Sequence, residues 1–167
     1  MSHCFSRIVL TDVYYSPTKV QAAGLVISSW QADTATEEYI YQSPTAQDYV
    51  AGEFYQRELP HLLQLLALIK DVDCVVVDAH VWLQANQPGC GHYLWEQLGK
   101  KIPVIGVAKN AFHQGVAKPL LRGTSKKPLY ISAVGIEVDA VIPLIASMHG
   151  DFRIPALLRQ VDQLSRR

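Results

Sequence analysis

The hydrophobic rhythm of the chain changes after its first forty-odd residues, and that change constrains the fold more than any other feature. Residues 5–15 hold the run R-I-V-L-T-D-V-Y-Y, and after the turn S-P-T-K, residues 20–30 are rich in small and β-branched side chains. The segment T-E-E-Y-I-Y-Q, Thr36 to Gln42, alternates polar and apolar, the period of a strand with one wet face. Connections this short predict an antiparallel meander. The period then lengthens. Leu59, Leu62, Leu63, Leu65, Leu66 and Ile69 share one broad face of a helix expected to start near Arg57, with Pro60 in its first turn. D-C-V-V-V-D (Asp73 to Asp78) and P-V-I-G-V-A (Pro103 to Ala108) are short, nearly all-apolar runs of the kind buried on both faces of a parallel sheet. P-L-Y-I-S-A-V (Pro128 to Val134) predicts one more strand, and helices are expected over 92–100, 137–148 and 155–165. This order describes an α/β fold: a mixed sheet of three antiparallel strands, then parallel strands, covered by helices.

A chain of 167 residues fits a single domain over 1–167, and 49% hydrophobic with 18% charged residues excludes a disordered chain. The three cysteines, Cys4, Cys74 and Cys90, are widely spaced and form no C-x-x-C pair, which speaks for a reducing, cytoplasmic setting. The longest aliphatic stretch, Leu62 to Ile69, falls far short of the roughly 20 residues of a membrane span, so a soluble protein with no membrane partner is expected. Fifteen acids balance fifteen bases, but unevenly: residues 1–84 hold ten acids and four bases, and residues 85–167 five acids and eleven bases. An acidic half joined to a basic half suits a metal site beside a polyanion site.

Three acids stand where such a sheet gathers ligands, at the carboxyl ends of parallel strands. Asp78 closes the V-V-V run, Asp12 lies near the end of the first apolar run, and Glu58 opens the first helix. Taken singly, each suits a turn or a helix N-terminus. Taken together, two or three carboxylates suffice for Mg²⁺, which prefers oxygen ligands and keeps several waters.

At these residues the chain resembles the endonuclease V family, whose fold is ribonuclease H-like. The family's D-V-S-Y motif is matched by D-V-Y-Y at Asp12 to Tyr15. Its wedge loop and following R-E pair are matched in register by Tyr49, Gly52, Arg57 and Glu58. V-D-G-H appears as V-D-A-H (Val77 to His80), I-G-V-A-K stands intact at Ile105 to Lys109, and P-L-Y-V-S appears as P-L-Y-I-S. The closing pattern is matched by F-R-I-P (Phe152 to Pro155), Arg159, Asp162, Leu164 and Ser165. The resemblance implies a hydrolase that cuts a strand near deaminated adenine, deoxyinosine in DNA or inosine in RNA, as in DNA repair, with Mg²⁺ or Mn²⁺. It implies Asp12, Glu58 and Asp78 as metal ligands and Lys109 at the scissile phosphate. It further implies Tyr49 as the wedge replacing an extruded base, with Gly52, Ala79 and His80 on the substrate side. Lys126, Lys127 and Arg122 are the other groups expected to meet phosphates.

The chain also departs from that pattern. Asp48 and Ala51 replace the wedge prolines, Ala79 replaces a glycine, and Q-A-N-Q (Gln84 to Gln87) replaces H-P-R-R. A-V-G-I (Ala133 to Ile136) stands where the family's P-G-H-R carries a histidine expected near the metals. Glu137 and Asp139 follow as first-turn acids of the next helix, His61 reads as a surface residue, and Cys90 with His92 is at most half of a zinc site. Two alternatives keep the fold without the chemistry: a protein that binds nucleic acid or a nucleotide-like ligand without cutting, and an interaction protein whose acids are remnants.

Overall fold

The computed structural model describes residues 5–44 and 54–167, with the side chains of residues 54–56 left aside. Three strands come first: β1 (Ile8–Tyr15), β2 (Val20–Ile27) and β3 (Glu37–Ser43). They pair antiparallel, β1 with β2 and β2 with β3, as their short connections dictate. In the first turn the Ser16 amide donates to the Lys19 carbonyl at 2.9 Å. β2 is buried along its whole length, whereas β3 alternates between half-buried and exposed positions, as an edge strand should.

The chain continues through α1 (Phe54–Leu66), β4 (Cys74–Val77), a small hairpin of β5 (Trp82–Gln84) and β6 (Gln87–Pro88), and α2 (Cys90–Gln97). β7 (Val104–Ala108), β8 (Lys118–Leu120), β9 (Leu129–Val134), α3 (Val138–Ala146) and α4 (Ala156–Ser165) complete it. The main sheet has the order β3-β2-β1-β4-β7-β9-β8. β1, β4 and β7 run parallel, and both outer pairings, β7 with β9 and β9 with β8, are antiparallel. The run Pro128 to Val134 is therefore a strand, but not a parallel one. Only β8 intervenes between β7 and β9, with no helix to carry the chain back, so the chain returns in the opposite direction.

Side-chain alternation splits the core into two layers. Ile8, Leu10, Val76, Ile105 and Ile131 pack with Val141 and Ile145 of α3 and with Leu157, Val161 and Leu164 of α4. Val9, Val75, Val77 and Val104, facing the other way, pack with Leu62 and Leu66 of α1 and Leu94 of α2. Each fully buried aliphatic side chain contributes about 1.5–3 kcal/mol relative to exposure. These layers clamp the sheet between two helical faces. Among the described residues no helix is long and apolar enough to cross a membrane.

Two local expectations need correction. α1 begins at Phe54, before Arg57, so Pro60 lies inside the helix instead of in its first turn. Pro60 is exposed, and the helical face carrying Leu62, Leu65 and Leu66 still packs inward, which offsets the hydrogen bond that proline cannot make. Tighter turns extend the helical path to Ile69, whose amide donates to the Leu66 carbonyl at 3.1 Å. His61 is also not a surface residue. It is 8% exposed and lies edge-on to Tyr15, with ring centroids 6.3 Å apart.

Candidate active site

The register of β1 against β4 brings the first two acids abreast. Pairing runs Ile8 with Cys74, Val9 with Val75 and Leu10 with Val76, then stops. Asp12 and Asp78 each lie two residues past that last pair. The chain leaves β1 towards β2 and β4 towards β7, so the two strand ends diverge and a crevice opens between them. Thr11 stitches its base, with the hydroxyl donating to the Val76 carbonyl at 2.8 Å.

Helices supply further acids from both faces of the sheet. On the α1 side Glu58 approaches Asp12 and Asp78. Burial, and then the charges of those two carboxylates, push its pKa up to about 8, against the lowering effect of Arg57. The Arg57 guanidinium lies over the Tyr15 ring at 3.7 Å, which ties the start of α1 to the end of β1. On the opposite side α4 presents Asp162, whose carboxylate is hydrogen-bonded to Asp12. Burial, that hydrogen bond and the charge of Asp78 hold Asp12 well above the usual carboxylate range. Burial alone would raise Asp162 as well, but hydrogen bonds from Asp12 and Arg166 outweigh it and leave Asp162 low. The two neighbouring carboxyls are thus shifted in opposite directions, Asp12 upward and Asp162 downward. The Ser165 hydroxyl donates to the Asp162 carbonyl at 2.7 Å and lies 3.4 Å from Asp12 Oδ2.

Cations border this acidic end. Lys109, just past β7, places Nζ 3.8 Å from Asp78 Oδ2. Burial raises the Asp78 pKa, and Lys109 partly offsets the rise. On the other rim Arg166 donates to Asp162 Oδ1 at 3.1 Å and stands 4.7 Å from the Tyr14 ring centroid. Asp12, Asp78, Lys109 and Asp162 line one cavity with an apolar floor that includes Val77, Val107 and Leu158. Among the described residues no group of three or more His, Cys, Asp or Glu side chains stands at a spacing that would hold a metal ion as it is. The donor set nevertheless suits a hard divalent cation: burial and mutual repulsion raise Asp12, Glu58 and Asp78 in spite of Lys109 and Arg57 nearby, so added positive charge among these oxygens would be favourable.

The remaining candidates divide. Tyr49 and Gly52 lie outside the described residues. Ala79 and His80 continue from Asp78 but do not line the acidic cavity. The His80 ring Nε2 is 2.9 Å from the Asn110 carbonyl, which links the loop after β4 to the loop after β7. Glu137 caps α3, and Asp139 pairs with Lys118 at 2.5 Å, so both serve that helix. His92 packs on Trp82 with centroids 4.4 Å apart and pairs with Glu96. Arg122 does not face a substrate path: it is 7% exposed and donates to backbone carbonyls. Ala133 to Ile136 line a separate groove with Trp82 and do not line the acidic cavity. The ligand set expected from sequence omits Asp162, which enters there only as part of the closing D-x-L-S match. Its place on the helix pattern, beside buried Val161, was the available signal.

Comparisons with known proteins bear on the family and the fold. A model of the endonuclease V family matches residues 2–137. The endonuclease V of Xylella fastidiosa (strain 9a5c) is 30% identical over 153 residues, which cover 78% of this chain and 63% of that protein. That of Xanthomonas axonopodis pv. citri (strain 306) is 33% identical over 98 residues, 58% of this chain and 40% of that protein. The chain thus spans less than two thirds of the length of these relatives. Among solved structures, the endonuclease V of Streptomyces avermitilis superimposes with a TM-score of 0.80 at 26% identity, covering 98% of this chain and 81% of that one. The endonuclease V of Ciona intestinalis, solved with a 24mer DNA containing an inosine followed by a ribo-adenosine, gives 0.83 at 16% identity, covering 96% and 84%, a likeness of fold. The mixed sheet is the ribonuclease H-like fold of those enzymes. Matched by the family model over most of its residues, the chain belongs to the endonuclease V family.

Proposed function

We propose that the protein is a divalent-cation-dependent endonuclease that hydrolyses a phosphodiester near deaminated adenine, in DNA or RNA containing inosine. The observation that carries this reading is the convergence of Asp12, Asp78, Glu58 and Asp162 from two strands and two opposed helices on one end of the sheet. Mg²⁺, or Mn²⁺ in its place, would be held by Asp12, Glu58 and Asp78 with help from Asp162, after modest side-chain rotation. Such a cation polarises a phosphoryl oxygen and lowers the pKa of a water. The chain's own groups do the rest. Lys109 exchanges its contact with Asp78 for a non-bridging phosphate oxygen, acting as a point charge. Asp12, held above the usual carboxylate range, would have to give up its proton to serve as a ligand, so cation binding there would be favoured at higher pH. Tyr49 and Gly52 would open the duplex and admit the base, with Ala79 and His80 beside it. In this role the enzyme would start the repair of deaminated strands.

The test is nicking of single- and double-stranded oligonucleotides containing inosine, in Mg²⁺ and in Mn²⁺. Asp78→Asn should lower the rate by about 100-fold or more while leaving the fold intact. Salt-sensitive binding with no cleavage in either cation would reject the nuclease and leave the binding protein.

A further inference from the structure

Resting on the nucleic-acid reading above, we infer that Phe152 is a stacking platform for an unpaired base of the bound strand, next to the phosphate held at Lys109. Phe152 is 70% exposed, more than any other large hydrophobic side chain among the described residues. Such exposure is ordinary on a loose loop, but this loop is firmly tied. The buried Arg122 guanidinium donates to the Met148 carbonyl at 2.7 Å, to Gly150 at 3.0 Å, to Arg153 at 3.3 Å and to that of Phe152 itself. From the other side the Ala156 amide donates to the His149 carbonyl at 2.9 Å. Gly123, at φ +61°, passes so close that a Cβ there would lie 2.4 Å from the Asp151 carbonyl oxygen. A large aromatic ring is thus presented to water on a rigid support, although burial would favour it.

The surroundings identify the occupant. Ile154 and Pro155, the second and third residues after Phe152, line the acidic cavity, so the loop that carries the ring runs into its wall. One acid, Asp151, adjoins the ring, and the other charges on and beside this loop are cationic. Arg153 donates to the Lys109 carbonyl and, at 2.9 Å, to the Pro128 carbonyl, fastening the loop to the strand end that presents Lys109. Lys127 reaches the Asn110 side chain at 3.1 Å, and Lys126 and Arg159 are exposed. A stacking ring among cations, beside a site that takes a phosphate, is the arrangement that holds single-stranded nucleic acid. Leu121 is exposed nearby, but two side chains fall well below the area of a protein interface.

The test scans 2-aminopurine through the positions flanking inosine in a single-stranded oligonucleotide, bound to the protein in EDTA so that binding is read without cutting. Wild type should quench strongly at one position beside the cut. Phe152→Ala should abolish that quench and weaken binding by about 5- to 100-fold, with unfolding temperature unchanged. Phe152→Trp and Phe152→Tyr should restore both, and Phe152→Leu only part. In cleavage assays the same loss should appear in KM, with kcat within about twofold. Unchanged binding in Phe152→Ala, or a loss that Trp and Tyr do not restore, overturns the inference. Quenching that follows Phe152 without any cleavage in Mg²⁺ or Mn²⁺ would sink only the nuclease reading, and absence of wild-type binding both in EDTA and in non-catalytic Ca²⁺ would overturn both.

Discussion

A carboxyl whose folded pKa lies above its unfolded one stabilises the fold only while it keeps its proton. For Glu58, raised to about 8 by burial and by Asp12 and Asp78, that contribution is complete below about pH 4 and is lost as the pH rises through about 8. Asp12 and Asp78 are shifted in the same direction. The metal-free protein should therefore lose stability between pH 4 and pH 8, and Mg²⁺ or Mn²⁺ should restore it. Glu58→Gln should raise the metal-free stability at pH 8 by about 1–2 kcal/mol, with no gain at pH 4, as denaturant titrations at the two pH values would show. Calorimetry should also find protons released on cation binding and an affinity that climbs over the same interval. Affinity independent of pH would place the cation away from these carboxyls.

At the scale of elements, two close approaches position the site. Gly106 on β7 passes beneath the loop after β4, where an added Cβ would fall 2.3 Å from the Ala79 carbonyl oxygen and 2.6 Å from Ser132 Oγ. The Ser132 hydroxyl in turn accepts from the Val81 amide at 2.9 Å. Gly106→Ala must therefore push the Asp78–Val81 segment away from β7, and a loss of about 1–3 kcal/mol in chemical denaturation is expected. The loop between α3 and α4 depends on Arg122 in a similar way. Arg122→Met keeps the volume but leaves several carbonyls without their donor, and should cost about 2–4 kcal/mol, more than Lys126→Met on the surface.

For the whole molecule, zero net charge conceals a local arrangement. The acidic half supplies Asp12, Glu58 and Asp78, yet the fourth acid, Asp162, comes from the basic half. Lys109, Lys127, Arg153 and Arg166 lie around this acidic end, so an anionic strand meets several cations before it meets the central carboxylates. Oligonucleotide affinity should fall steeply as salt rises from 50 to 200 mM, measured by fluorescence anisotropy. Lys127→Ala should reduce the slope of log affinity against log salt by about 1, and a slope unchanged in that variant would remove Lys127 from the path of the strand.

Local pattern alone determined much of this protein. The alternation in Thr36 to Gln42, the helical stripe from Leu59 to Ile69 and the apolar runs ending at Asp78 and Ala108 specify their element types, because burial follows the period of the backbone. Asp12, Asp78 and Lys109 were legible because a strand carries a residue at its end to a predictable edge. The rest was decided by contacts between residues far apart in the chain. The Asp12–Asp162 hydrogen bond, the burial of His61, the diversion of Arg122 to carbonyls and the antiparallel direction of β9 leave no local signature. An amphipathic pattern says which face of α4 turns inward. Only the packing of that helix across the sheet decides that the acid on its border meets Asp12.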